Sequence, residues 1–144
     1  MKYAARKTTD YIVIHCTATP EGRDIGAKEV DRMHRQRGFN GIGYHYVIRL
    51  DGTVEKGRPE DAIGAHVEGL NARSIGIAYV GGVDANDINK AEDTRTPQQK
   101  AALRALLTTL RARYPNAKII GHRDHPGVKK ACPCFDAIPE YADI

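Results

Sequence analysis

The spacing of hydrophobic positions changes several times along this chain, and each change marks an element. YIVIH, residues 11–15, is a short β-branched and aromatic run that predicts a buried strand. TATPEGRD, 17–24, reads as a loop. Ala27, Val30, Met33 and His34 then follow helical spacing, which predicts a helix over 27–37 with Gly38 just past its end. YHYVIRL at 44–50 leads into Asp51-Gly52 and TVEKG, a hairpin pattern, because Asp-Gly supplies the positive φ of a tight turn. Residues 58–73 carry mixed signals and read as a long functional loop. SIGIAYVGG, 74–82, is a continuous apolar run ending in glycines and predicts a central strand, whereas the polar stretch 84–93 reads as an exposed excursion.

A second helix is expected to start at Thr96. Its hydroxyl can cap, Pro97 suits the first turn, and Gln99 stands at the reciprocal position of a capping box. Leu103, Leu106, Leu107 and Leu110 form its apolar stripe, and Tyr114-Pro115 ends it. KIIGH, 118–122, predicts a further short strand, and DAIPEYADI a final turn. This order implies an α/β fold: a single domain over 1–144 with a mixed central β-sheet flanked by helices. Residues 1–10, basic and threonine-containing, read as a loosely held arm.

Composition narrows the class. A chain of 144 residues with 41% hydrophobic and 28% charged side chains can bury an ordinary core without disulfide staples. The net charge of +4 suits an anionic partner such as nucleic acid, acidic lipid or a cell-wall polymer. No run of five or six basic residues occurs, so nucleic acid is not indicated. No apolar stretch approaches the length of a membrane span, and the N-terminus lacks the pattern of a signal peptide, which points to the cytoplasm. The three cysteines, Cys16, Cys132 and Cys134, are an odd number, which argues against a disulfide framework and for a thiolate with a chemical role.

The chemistry concentrates at strand ends. His15 closes one predicted strand and His122 another, where α/β enzymes collect reactive groups. GHRDHPGVKKACPCFD, 121–136, folds back through Pro126-Gly127 and brings Cys132 within reach of His122. Two imidazoles and a thiolate suit zinc and leave a fourth tetrahedral position for water. On the residues alone, a satisfied core histidine at 15 and a small buried hydrophobe at 132 are the more ordinary readings. Cys16, one residue on in a strand, points to the opposite face and reads as core.

The ordered set IVIHCTAT, GYHYVI, DGTVEKGRPED, IGAHVEGLN, SIGIAYVGG, TPQQ and KACPCFD resembles the zinc-dependent N-acetylmuramoyl-L-alanine amidases. Their superfamily includes the peptidoglycan recognition proteins, and the likeness is strongest to its short phage branch. It covers roughly residues 9–136. The resemblance implies one Zn2+ per chain held by His15, His122 and Cys132. It places Tyr44 near the bound water and Lys130 against the scissile carbonyl, and it sets His66 and Asn71 on a substrate-binding loop. It implies peptidoglycan as substrate and a monomeric endolysin. Such a protein waits in the cytoplasm of the infected or lysogenic bacterium until a separate protein permeabilises the membrane. A phage RNA polymerase is a second partner known in that branch. A non-catalytic peptidoglycan-binding module and a polymerase inhibitor are the alternative functions.

Three features depart from the pattern. The HRDHPGVKKAC segment is longer than in the phage branch, so His125 competes with His122 as a ligand. Cys134 stands where serine or glycine is usual; a Cys-x-Cys disulfide would be strained, so both thiols are expected to be reduced. No glutamate supplies the general base found in other branches.

Overall fold

All of β1 (Tyr11–Cys16) except its first residue is buried, as expected of a strand with neighbours on both edges and layers on both faces. The computed structural model describes residues 3–144. After β1 come β2 (Thr19–Pro20), α1 (Ala27–Gln36), β3 (Tyr46–Ile48), β4 (Val54–Lys56), β5 (Ser74–Tyr79), β6 (Gly82–Val83), α2 (Pro97–Arg113), β7 (Lys118–Gly121) and α3 (Ala137–Glu140). Five strands form one sheet in the order β4-β3-β5-β1-β7. All its pairings are parallel except the β3–β4 hairpin at one edge. This is the mixed α/β architecture expected from the pattern of elements.

The pleat divides the sheet's two faces cleanly. Ile12, Ile14 and Cys16 of β1 share a core with Ile75, Ile77 and Tyr79 of β5 and with Leu103, Leu107 and Leu110 of α2. Val13 faces the other way, towards Val67 and Leu70 in the long 58–73 segment. On that same side α1 contributes Val30 to a cluster with Val47 and Val80. The second layer beside α1 is therefore a loop, packed over the face of β1 that carries Val13.

α2 is capped by the residues that the sequence marks. Thr96 Oγ1 accepts from Gln99 N at 3.0 Å, and Thr96 N donates to Gln99 Oε1 at 2.9 Å, completing the capping box. Gln99 does more than cap. It is fully buried, and its Nε2 donates to the Ile48 and Val80 carbonyls at 3.2 and 3.0 Å, fastening α2 to the end of β3 and to the residue that follows β5. At α1, Gly26 N donates to Glu29 Oε2 at 2.8 Å.

Three boundaries differ from expectation. The run 74–82 stops pairing in the main sheet at Tyr79, because Gly81 and Gly82 take φ of +132° and +103°. A Cβ at Gly81 would lie 2.2 Å from Thr94 Oγ1, so only glycine fits that turn. Gly82 and Val83 instead pair with Thr19 and Pro20 as a separate parallel ribbon. The hairpin ladder is shorter than 44–50 and begins at Tyr46. Of the basic N-terminal segment, residues 1–2 lie outside the described residues, while 4–6 are pinned. Ala5 bridges Ala62, Arg6 N donates to Asp61 O at 2.7 Å, and the Arg6 guanidinium donates to the carbonyls of Glu60 and Ala62.

Replacing Gln99 by alanine removes a cap and leaves the buried Val80 carbonyl without its side-chain donor. The expected loss is about 2–3 kcal/mol. Urea unfolding should show it as a lower midpoint with an unchanged slope.

Candidate active site

His15 and His122 meet because β1 and β7 are parallel neighbours in fixed register. Ile14 pairs with Gly121, so the residue after each partner emerges at the same sheet end. The two imidazole centroids lie 4.5 Å apart. His15 projects from the face opposite Ile14 and Cys16, away from α2 and towards the 58–73 segment. His122 opens a short 3-10 turn that Asp124 secures by accepting from Gly121 N at 2.7 Å.

Cys132 reaches this point on a loop held by its backbone. Arg123 N donates to Cys132 O at 2.9 Å, and Tyr79 Oη, from the end of β5, donates to Pro133 O at 2.6 Å. The Cys132 sulfur accepts from Cys16 N at 3.2 Å and lies 3.9 Å from His15 Nδ1. One donor atom from each of His15, His122 and Cys132 falls within 4.8 Å of the others. A tetrahedral ion with bonds of about 2.0–2.3 Å sets its ligand atoms about 3.3–3.8 Å apart, so this donor set fits after a small contraction. His125 does not join the group; its Nε2 lies beside Gly69. Cys16, Cys132 and Cys134 are all free thiols.

The imidazoles are neutral, as metal ligands must be. Burial, then the neighbouring His66 and His122, push His15 well below the usual histidine range. His122 is lowered by burial and then by the Lys130 ammonium.

A cavity of about 630 Å³ opens beside these groups. Tyr44 and Lys130 both line it, together with Arg37, Phe39 and Glu68. The Tyr44 ring packs 5.0 Å from His15, and burial raises its phenol so that it remains protonated. Glu68 is an exposed residue on the cavity wall. His66 and Asn71 also border the cavity, but much of their hydrogen bonding is internal. His66 Nδ1 pairs with His15 Nε2 at 2.8 Å. Asn71 Oδ1 accepts from the backbone N–H of both His66 and Val67 at 2.8 Å, clamping the loop that carries His66.

Sequence reasoning passed over three residues. His34, taken as part of an apolar helix stripe, lines the cavity while its Nδ1 accepts from Gly43 N at 2.9 Å. Ser74 and Gly76, taken as strand residues, sit directly against His66. A glycine in the middle of an apolar strand was the available signal, since it marks a close approach.

The family model described as N-acetylmuramoyl-L-alanine amidase matches residues 5–135. The chain belongs to the N-acetylmuramoyl-L-alanine amidase family. Among curated relatives of this amidase, the endolysin of Enterobacteria phage K11 is 43% identical over 136 residues, covering 94% of this chain and 87% of that one. The endolysin of Escherichia phage T7 is equally similar, 43% identical with the same coverage. Among solved structures, the endolysin amidase LysCS from Clostridium intestinale superposes with a TM-score of 0.78 at 36% identity, covering 96% of this chain and 84% of that one.

The buried histidines of the amidase make its stability pH-dependent. His34 and His45 are each pushed down to about 4, chiefly by burial. His45 Nδ1 accepts from Gly76 N at 3.0 Å, so a proton there would displace a backbone donor. Unfolded histidine titrates near about 6.5. Below that pH the unfolded chain takes up protons that the folded chain refuses, so stability is complete above it and falls as the pH drops towards 4. The melting temperature should decline over this window, with a shallower decline in His45→Gln.

Proposed function

We propose that this amidase is a phage or prophage endolysin that uses zinc to hydrolyse the amide between N-acetylmuramic acid and L-alanine in peptidoglycan. The observation that carries the reading is the meeting of His15, His122 and Cys132 at the strand ends, on the wall of a cavity that also holds Tyr44 and Lys130. His15, His122 and Cys132 would hold the zinc ion, which would supply Lewis acidity and activate water for attack.

The chain's own residues account for the remaining needs of the reaction. The Lys130 ammonium offers positive charge where the carbonyl oxygen becomes an oxyanion, and it is exposed, able to swing over the substrate. The Tyr44 phenol, kept protonated by burial, donates a hydrogen bond and orients the attacking water or the carbonyl. Arg37 lies over the Phe39 ring at 5.1 Å, and both line the cavity, an arrangement suited to a stem-peptide carboxylate. A purely binding role is disfavoured because the thiol ligand is present. Among the described residues no helix is long and apolar enough to cross a membrane. In this reading the protein is held in the cytoplasm and acts on the wall after the membrane is permeabilised.

Cys132→Ala is expected to abolish both zinc retention and hydrolysis while the chain stays folded. Full activity with stoichiometric metal in that variant would overturn the site. Lys130→Ala should retain zinc and turn over about 10²–10³-fold more slowly. Both are read by metal analysis and by mass spectrometry of digested sacculi, where free stem peptides with a new L-alanine amino terminus report amide cleavage.

A further inference from the structure

Behind His15 stands a chain of hydrogen bonds whose direction can be read from its far end. Ser74 Oγ lies 2.8 Å from the Leu70 carbonyl, and only the hydroxyl can donate in that pair. A serine hydroxyl has one proton, so towards its other neighbour, His66 Nε2 at 3.2 Å, Ser74 can only accept. His66 therefore carries its proton on Nε2. A neutral imidazole with its proton on Nε2 presents a lone pair at Nδ1. His15 Nε2, 2.8 Å away, must then be the donor. The one nitrogen of His15 left without a proton is Nδ1, the atom 3.9 Å from the Cys132 sulfur.

We propose that Ser74 and His66 are positioning residues that fix His15 as its Nε2–H tautomer, so that Nδ1 presents a lone pair to the metal. The proposal rests on the reading of His15 as a metal ligand. The surroundings are built to hold the relay. Ser74 is fully buried. A Cβ at Gly76 would lie 2.6 Å from His66 Cγ, and one at Gly64 would lie 2.7 Å from His66 Cδ2, so the ring lies flat against backbone that bears no side chain. Asn71 clamps the His66 backbone N–H. Rotating the His66 ring by half a turn would put carbon at both bonding positions and lose both bonds. Ser74 pairs with Tyr11 at the start of β5–β1, two residues from the Val13–Gly76 pair and four from His15–Ala78. The same parallel register that brings the ligands together thus places the relay along the sheet face beneath them.

Without the Ser74 hydroxyl, the His66 Nε2–H loses its acceptor among the described residues. The reversed arrangement, with His66 donating from Nδ1 to His15 Nε2, becomes competitive and moves the His15 proton onto the ligand atom. Losing such an outer partner typically lowers metal affinity about 10–100-fold.

The test is two-bond 1H–15N correlation NMR on the full chain, zinc-loaded and after chelation, for the wild type and Ser74→Ala, with zinc affinity measured by chelator competition. The wild type should show His15 protonated at Nε2 in both states. Ser74→Ala should show a growing Nδ1–H population in the metal-free state and an affinity about 10–100-fold lower. A wild-type His15 protonated at Nδ1, or zinc bound through Nε2, would overturn the relay without reference to any variant. An unchanged tautomer in a folded Ser74→Ala would remove Ser74 from it. The expected tautomer in a wild type that takes up no zinc would uphold the relay and sink the metal reading instead.

Discussion

The parallel pairing of β1 with β5 and β7 is the constraint on which the rest of this molecule depends. In a pleated strand consecutive side chains leave opposite faces, so one six-residue strand serves two environments at once. Ile12, Ile14 and Cys16 pack against α2, while Val13 and His15 face the loop layer. Because the neighbours are parallel and in fixed register, the chemistry-bearing face of each strand ends at the same rim. His122 leaves β7 there, and Ser74 and Gly76 line the approach from beneath, while Tyr79, on the opposite face at the end of β5, hydrogen-bonds the Cys132 loop. A slip of one residue would exchange the two faces and bury imidazole under leucine.

That dependence explains what could be read in advance. Strands ending at His15 and His122, the α2 cap at Thr96 and the α1 span all follow from local pattern, and local pattern is what a single sequence displays. The candidate ligand atoms are local in the same sense, each at the end of an element or on a short loop. The surroundings of His66 are not. Its neighbours in space, His15 and Ser74, are known only once β1 lies beside β5 and the 58–73 segment folds over both. Gln99 shows the same limit: its capping partner is three residues away and legible, while its bonds to Ile48 and Val80 are long-range and were invisible. The glycines at 81 and 82 looked like the end of a strand, yet they turn the chain into a second ribbon because Thr94 and Cys16 occupy the space a side chain would need.

The electrostatics of the cavity follow from the same layering. Its histidines are kept neutral by burial, so they add hydrogen-bonding groups and lone pairs without adding charge. Formal positive charge is confined to the side chains of Lys130 and Arg37, both exposed and therefore able to meet a substrate at modest desolvation cost. On the proposed reading, a divalent cation paired with one thiolate leaves the centre net positive beside an ammonium. That balance favours an oxyanion developing on a carbonyl over the neutral carbonyl itself, which is the differential binding that catalysis requires.

The Cys132-Pro133-Cys134 stretch raises a further problem, because two thiols so close in sequence could compete for one ion. They diverge around Cys16. Its backbone N–H donates to the Cys132 sulfur on the histidine side, whereas its own side chain, on the core side, lies 3.9 Å from the Cys134 sulfur. Cys134 takes a φ of +73° and turns its thiol to the Gly82 carbonyl at 3.3 Å. A Cβ at Gly82 would sit 2.5 Å from the Cys16 sulfur, so that glycine leaves the space the thiol pair occupies. The Cys16 backbone thus donates to the Cys132 sulfur, while the Cys16 thiol lies beside both of the other thiols. What distinguishes the two is their second contact: the Cys132 sulfur lies 3.9 Å from His15 Nδ1, whereas Cys134 commits its thiol to the Gly82 carbonyl, which marks Cys132 as the candidate ligand.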